Sequence, residues 1–210
     1  MIGKTACWKL LLMILLLTAC DVGHAQVVRE QRVVVVINEV QASNDGTIRD
    51  PQGQYEDWIE LYNAGQSAVD VGGCYLTDDL ARPTKWQIPT GNAAATTIPV
   101  GGYLLIWADG DVDDAGLHAS FRLGSQGEEV GLFASDGAEL IDSLSYGSLY
   151  TDVSYGRYPD GGSDLRVLAV PSPGAANQLI YEGVVAPPQF DVTSRVCTGP
   201  ITVTLTTETP

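Results

Sequence analysis

From residue 31 onward no segment holds a helical period for three turns, whereas short runs rich in Val, Ile, Tyr and Leu recur between clusters of Gly, Asn and Asp. A chain patterned in this way covers its apolar side chains by pairing extended segments into sheets whose inner faces pack together. The spacing predicts strands at Val33–Val40, Trp58–Asn63, Ala68–Val71, Cys74–Thr77 and Lys85–Ile88. Further strands are predicted at Thr97–Pro99, Tyr103–Ala108, Glu129–Phe133, Glu139–Ser145 and Ser154–Arg157. Asn63-Ala64-Gly65, Asp109-Gly110, Ser135-Asp136-Gly137 and Pro159-Asp160-Gly161-Gly162 supply residues that tolerate positive φ, so hairpins are expected at these corners. The clearest is Leu132–Ile141, where apolar residues flank an Asp-Gly turn. Short strands with a turn signal about every ten residues fit an all-β sandwich of two packed sheets.

The amino terminus reads differently. Lys4 and Lys9 precede an apolar run, Leu10 to Leu17, and small residues follow, which is the pattern of an export signal. The run falls short of the roughly 20 residues of a membrane span. Leu17-Thr18-Ala19-Cys20 resembles a bacterial lipobox, which makes Cys20 the expected lipidation site and membrane attachment through a lipid anchor the expected localisation. Cleavage after Gly23-His24-Ala25, with secretion, is the competing reading.

Loss of residues 1–19 takes away two lysines and no acids, which moves the formal net charge from −15 to −17. Nine basic residues against 26 acids argue against a nucleic-acid partner, because neutralising phosphates requires clustered Lys and Arg. With 45% hydrophobic and 18% charged residues the chain is not disordered by composition. Cys7 and Cys20 belong to the signal, Cys74 is expected to pack as a small apolar side chain, and its disulfide with the distant Cys197 is not expected. Residues 20–32 read as a linker, 33–178 as the sandwich, 179–190 as a Pro-rich linker and 191–210 as the opening of a second β module.

The chemistry of the residues favours framework over catalysis. His118 lacks a nucleophile elbow to serve, so no catalytic residue is assigned and the chain is not read as an enzyme. Two distant cysteines and two distant histidines, His24 and His118, do not stand at the spacing of the usual zinc set. Calcium is the better metal question, with Glu39, Asp57, Glu60, Asp109, Asp111 and Asp113 as weak candidates, although the acidic loop departs from an EF-hand at Asp114 and Ser120. Alternation puts Ile59 and Leu61 on one face of DWIELYNAG and Trp58, Glu60 and Tyr62 on the other, and sets Glu39 beside Ile37. Glu39 and Glu60 are read first as acceptors for backbone donors, then as calcium ligands, and last as an acid and base pair.

Six segments, VVINEVQASN, DWIELYNAGQSAVDVGGCYLTDD, GGYLLIWADGD, LHASFRL, GEEVGLFASDGAELIDSLSYG and PSPGAAN, together resemble the lamin tail domain in its exported bacterial form. The resemblance implies an immunoglobulin-like β-sandwich. Cys74 is a departure, standing where related sequences commonly carry a larger apolar residue. The tail APPQFDVTSRVCTGPITVTLTTETP resembles the start of the fibronectin-like module found at the carboxyl end of chitobiase-type hexosaminidases. The expected function is a non-catalytic adhesion or interaction module on an exported, lipid-anchored surface protein. Its expected partner is a surface protein or glycan, met by loops 44–56, 78–84 and 109–119 with Tyr55, Arg82, Asp78 and Asp79. The alternative is the amino-terminal accessory region of a larger surface enzyme.

Overall fold

The computed structural model describes residues 35–179, 189–190 and 204–206. The signal segment, Cys20, the linker 20–32 and Cys197 lie outside the described residues.

The chain runs β1 (Val35–Gln41), β2 (Trp58–Asn63), β3 (Val69–Asp70), β4 (Tyr75–Thr77), β5 (Trp86–Gln87) and a one-turn helix α1 (Ala93–Thr96). It continues through β6 (Thr97–Ile98), β7 (Tyr103–Ala108), β8 (His118–Ala119), β9 (Glu128–Phe133) and β10 (Leu140–Tyr146). The last elements are β11 (Ser154–Arg157), β12 (Leu165–Leu168), β13 (Gln189–Phe190) and β14 (Leu205–Thr206). One sheet has the order β12-β11-β1-β2-β7-β8 and the other β10-β9-β4-β5, while β3-β6 and β13-β14 form separate pairs.

The expected strands at Trp58–Asn63, Tyr103–Ala108 and Ser154–Arg157 form with those bounds, and the other seven form within a few residues of theirs. The unforeseen elements are too short to carry a period. Strand β8 has two residues, β12 has four, and α1 is four residues from an alanine run. The Leu132–Ile141 hairpin forms as its turn chemistry predicts. Asp136 Oδ1 accepts from the amides of Ala138 and Glu139, and Gly137 takes a φ of 69°. Pro159–Gly162 likewise turns β11 into β12. Two other corners differ from expectation. After Asp109-Gly110 the chain returns as β8, parallel to β7, and the Asn63 turn delivers β3 to β6 rather than back to β2. A residue that permits a sharp turn does not choose the strand that follows.

The inner faces meet in a single apolar core. The first sheet contributes Val35, Ile37, Val40, Ile59, Leu61 and Ile106, and the second contributes Leu76, Val130, Leu132 and Leu144. Each such side chain contributes about 1.5–3 kcal/mol when fully buried. Cys74 is a free thiol packed against this core, and burial raises its pKa.

Strict alternation fails in β1. Ile37 pairs with Leu61, yet Glu39 pairs with Glu60, so the ladder carries a bulge at Asn38. Ile37 and Val40 both reach the core, and Glu39 lands on the opposite face, beside Glu60 rather than beside Ile37. That face is not open to solvent either. Glu39, Gln41, Trp58 and Glu60 are all fully buried. The sequence expectation of one core face is corrected accordingly. The segment that contains PSPGAAN supplies part of the cover, since Ser172 and Gly174 bond to the two glutamates.

Candidate functional site

The bulge builds the first polar site. Glu39 accepts from the hydroxyl of Ser154, from the Ser172 amide at 3.1 Å and from the Ser172 hydroxyl at 3.2 Å. Glu60 accepts from the Gly174 amide at 2.6 Å and from Asn38 Nδ2 at 3.2 Å. Asp160 joins the same network, accepting from Asn38 Nδ2 and from the Asn177 amide, while its second oxygen takes the Tyr103 hydroxyl at 2.6 Å. Burial pushes the Glu39 carboxyl up to about 7 and that of Glu60 up to about 8, against the lowering effect of these donors. Tyr103 is also raised, first by burial and then by its bond to Asp160. The donors therefore come from the protein itself. The arrangement fastens the covering segment to the first sheet.

The second site lies where β2 and β7 meet at Trp58 and Trp107. Loop 42–57 folds back on itself: Asn44 Nδ2 donates to the carbonyls of Ile48 and Glu56, and Gln41 Nε2 donates to Thr47 Oγ1. Asp152, at a φ of 58°, anchors the loop by accepting from the amides of Asp45 and Gly46. Loop 109–117 is tied to it where Gln52 Nε2 donates to the Ala115 carbonyl. His118, expected in a loop, is instead buried in β8, with Nδ1 2.6 Å from Asp109 Oδ2 and its ring stacked on Trp107.

The six carboxylates weighed for calcium do not converge. Glu39 and Glu60 lie in the first site, Asp109 holds His118, and Asp111 and Asp113 stand exposed in loop 109–117. Asp57 is half-buried, and burial raises it to about 7. Among the described residues, the group whose ligand atoms approach within 4.8 Å of one another is Asp50, Asp109 and His118. Sequence reasoning missed Asp50. It stands in Asp50-Pro51-Gln52-Gly53, where an aspartate reads as a turn residue, and its amide and Oδ1 do serve that turn through Gln54.

Of the expected binding residues, Tyr55 is exposed, with the Arg49 guanidinium 3.9 Å above its ring, and Arg82 is exposed. Asp78 is paired with Lys85, and Asp79 Oδ1 accepts from the Ala81 amide, so both serve their own loop.

Two packed sheets, antiparallel except where β8 joins β7, with carboxylates that hold the covering segment in place, define an immunoglobulin-like sandwich. The Lamin Tail Domain family matches residues 29–148, more than half of the chain, and the protein belongs to that family. Its domain is a non-catalytic β-sandwich of the interaction type. The comparisons with curated proteins and with solved structures returned no match. The fold continues past the matched residues, because β11 and β12 extend the first sheet beside β1.

Proposed function

We propose that this sandwich is the adhesion module of an exported surface protein, anchored through a lipid on Cys20, and that loops 44–56 and 109–117 bind a surface protein or glycan. The observation that carries this reading is the pairing of the two loops by Gln52 and Ala115. Their frame is fixed by buried polar side chains, while Tyr55, Arg49, Asp111, Val112 and Asp113 remain exposed on them. A rigid scaffold that presents an exposed aromatic and charges at one end is suited to recognition. The reading needs no cofactor and no nucleic acid. Screening the full chain against glycans and surface proteins tests it. A specific ligand should bind at least tenfold more weakly to Tyr55→Ala, and equal binding by the loop variants would remove these loops as the surface. Fatty-acid labelling should vanish in Cys20→Ala; labelling that persists would refute the anchor.

A second reading takes the chain as the accessory region of a larger surface enzyme. It draws on the pairing of Gln189–Phe190 with Leu205–Thr206, which stands apart from both sandwich sheets, and on the fibronectin-like pattern of the tail. A catalytic domain encoded in the same gene would support it, and a stop codon directly after residue 210 would defeat the enzyme reading.

A further inference from the structure

Asp109 and His118 flank one loop and Asp50 comes from another, and each is more than nine-tenths buried, at 1%, 2% and 6% exposure. One ligand atom from each lies within 4.8 Å of the other two. Proximity of acids alone would not define a site. The second observation is Asp50 Oδ2, which is buried and has no hydrogen-bond partner, although Oδ1 of the same carboxylate accepts from the Gln54 amide at 2.7 Å. Buried carboxylate oxygens are costly to leave unmatched.

The charges point the same way. A His118 ring that donated from both nitrogens, to Asp109 Oδ2 at 2.6 Å and to the Ala115 carbonyl at 3.2 Å, would carry one positive charge against two carboxylates. Arg122 is near, its Nε donating to the Asp109 carbonyl at 2.7 Å, and its positive charge offsets part of the negative charge here. Glu56 adds further negative charge beside the group, its pKa raised first by burial and then by Asp109, Asp111 and Asp50. A divalent ion held by a neutral imidazole and two carboxylates balances the three ligands.

We propose that Asp50, Asp109 and His118 form a binding site for a divalent first-row transition ion of the zinc type. The donor set selects the class: one imidazole nitrogen with two carboxylate oxygens suits zinc, whose three protein ligands leave a fourth position for water. Calcium takes six to eight oxygens and has no use for the ring. On binding, the ion takes a ring nitrogen and the proton it displaces passes to solvent. The cysteine and histidine count gave no hint of this site, because two of its ligands are aspartates distant in sequence.

The test uses the full chain, stripped with a chelator and titrated with zinc chloride while heat and melting temperature are followed. One ion per chain should bind with a rise in melting temperature. Asp50→Asn and His118→Gln should each weaken binding at least tenfold. Should either variant fail to fold, cobalt(II) on the unmodified chain decides: nitrogen and oxygen ligands give weak visible bands, and intense thiolate absorption would place the ion on a cysteine and overturn the proposal. The proposal also fails if zinc gives no heat, if both variants bind as well as the parent, or if calcium raises the melting temperature and zinc does not.

Discussion

At the scale of single residues, the two glutamates in the sandwich act through where they are buried. The folded-state pKa of each lies above the ordinary 4.5, at about 7 for Glu39 and about 8 for Glu60. Their contribution to stability is therefore fully present below 4.5 and is lost as pH rises through these values. Thermal melting between about pH 5 and about pH 8 should show the midpoint falling as pH rises. Glu60→Gln cannot ionise, and it turns an amide NH2 toward either Asn38 Nδ2 or the Gly174 amide, both of which are donors. The variant should be less stable by about 1–3 kcal/mol at about pH 5, with the gap narrowing toward pH 8. Melting curves that stay parallel across this range would mean that Glu60 does not titrate there. Alternation was sufficient to set Glu60 opposite the core. It could not show that the opposite face is buried, because the cover is contributed by residues more than 100 positions away.

At the scale of elements, the bulge in β1 decides most of the local chemistry. It turns the Ile37 amide and carbonyl toward partners outside the ladder. Asp142 Oδ2 of β10 accepts from that amide at 2.7 Å, and Arg157 Nε of β11 donates to that carbonyl at 2.9 Å. Arg157 and Asp142 are themselves an ion pair at 2.9 Å, so the first sheet is linked to the second at this point. Asp142→Asn should weaken both bonds and lower the melting temperature by several degrees, whereas Arg166→Ala, whose pair with Asp164 is exposed, should change it little. Gly156 is the other constraint. A Cβ there would lie 2.5 Å from the Asn38 carbonyl oxygen, so Gly156→Ala should force β11 away from the bulge. Loss of about 2 kcal/mol or more by denaturant unfolding is expected, and an unchanged midpoint would show that the strands can part at no cost. Neither feature is visible in the pattern INEV, where a bulge and a regular strand contain the same residues.

At the scale of the whole molecule, the sandwich closes beyond the family match. Strands β11 and β12 and the segment 171–177 follow residue 148, and together they pair with β1 and satisfy Glu39 and Glu60. A chain ended at residue 148 should leave β1 with an open edge and two buried carboxylates without their donors, and it should fail to melt cooperatively. One ended at residue 179 should keep a single sharp transition by calorimetry. Equal cooperativity in the two would show that the later strands are dispensable. The sequence boundary at 178 rested on PSPGAAN, and this segment proves to cover the first sheet, with Asn177 bonded to the carbonyls of Asn38 and Arg157.

The sequence by itself determined that the chain is built of short strands, where most of them lie, and which corners turn, because side-chain period and turn chemistry are local properties. It also identified Glu39, Glu60 and Asp109 as residues to explain. Tertiary structure decided what each does. The bulge brings Glu39 to Glu60, the return of the 171–177 segment buries both, and the folding of loop 42–57 carries Asp50 to His118. These encounters depend on which strands pair and in what register, and that choice is made by the packing of the whole core rather than by any stretch of residues taken alone.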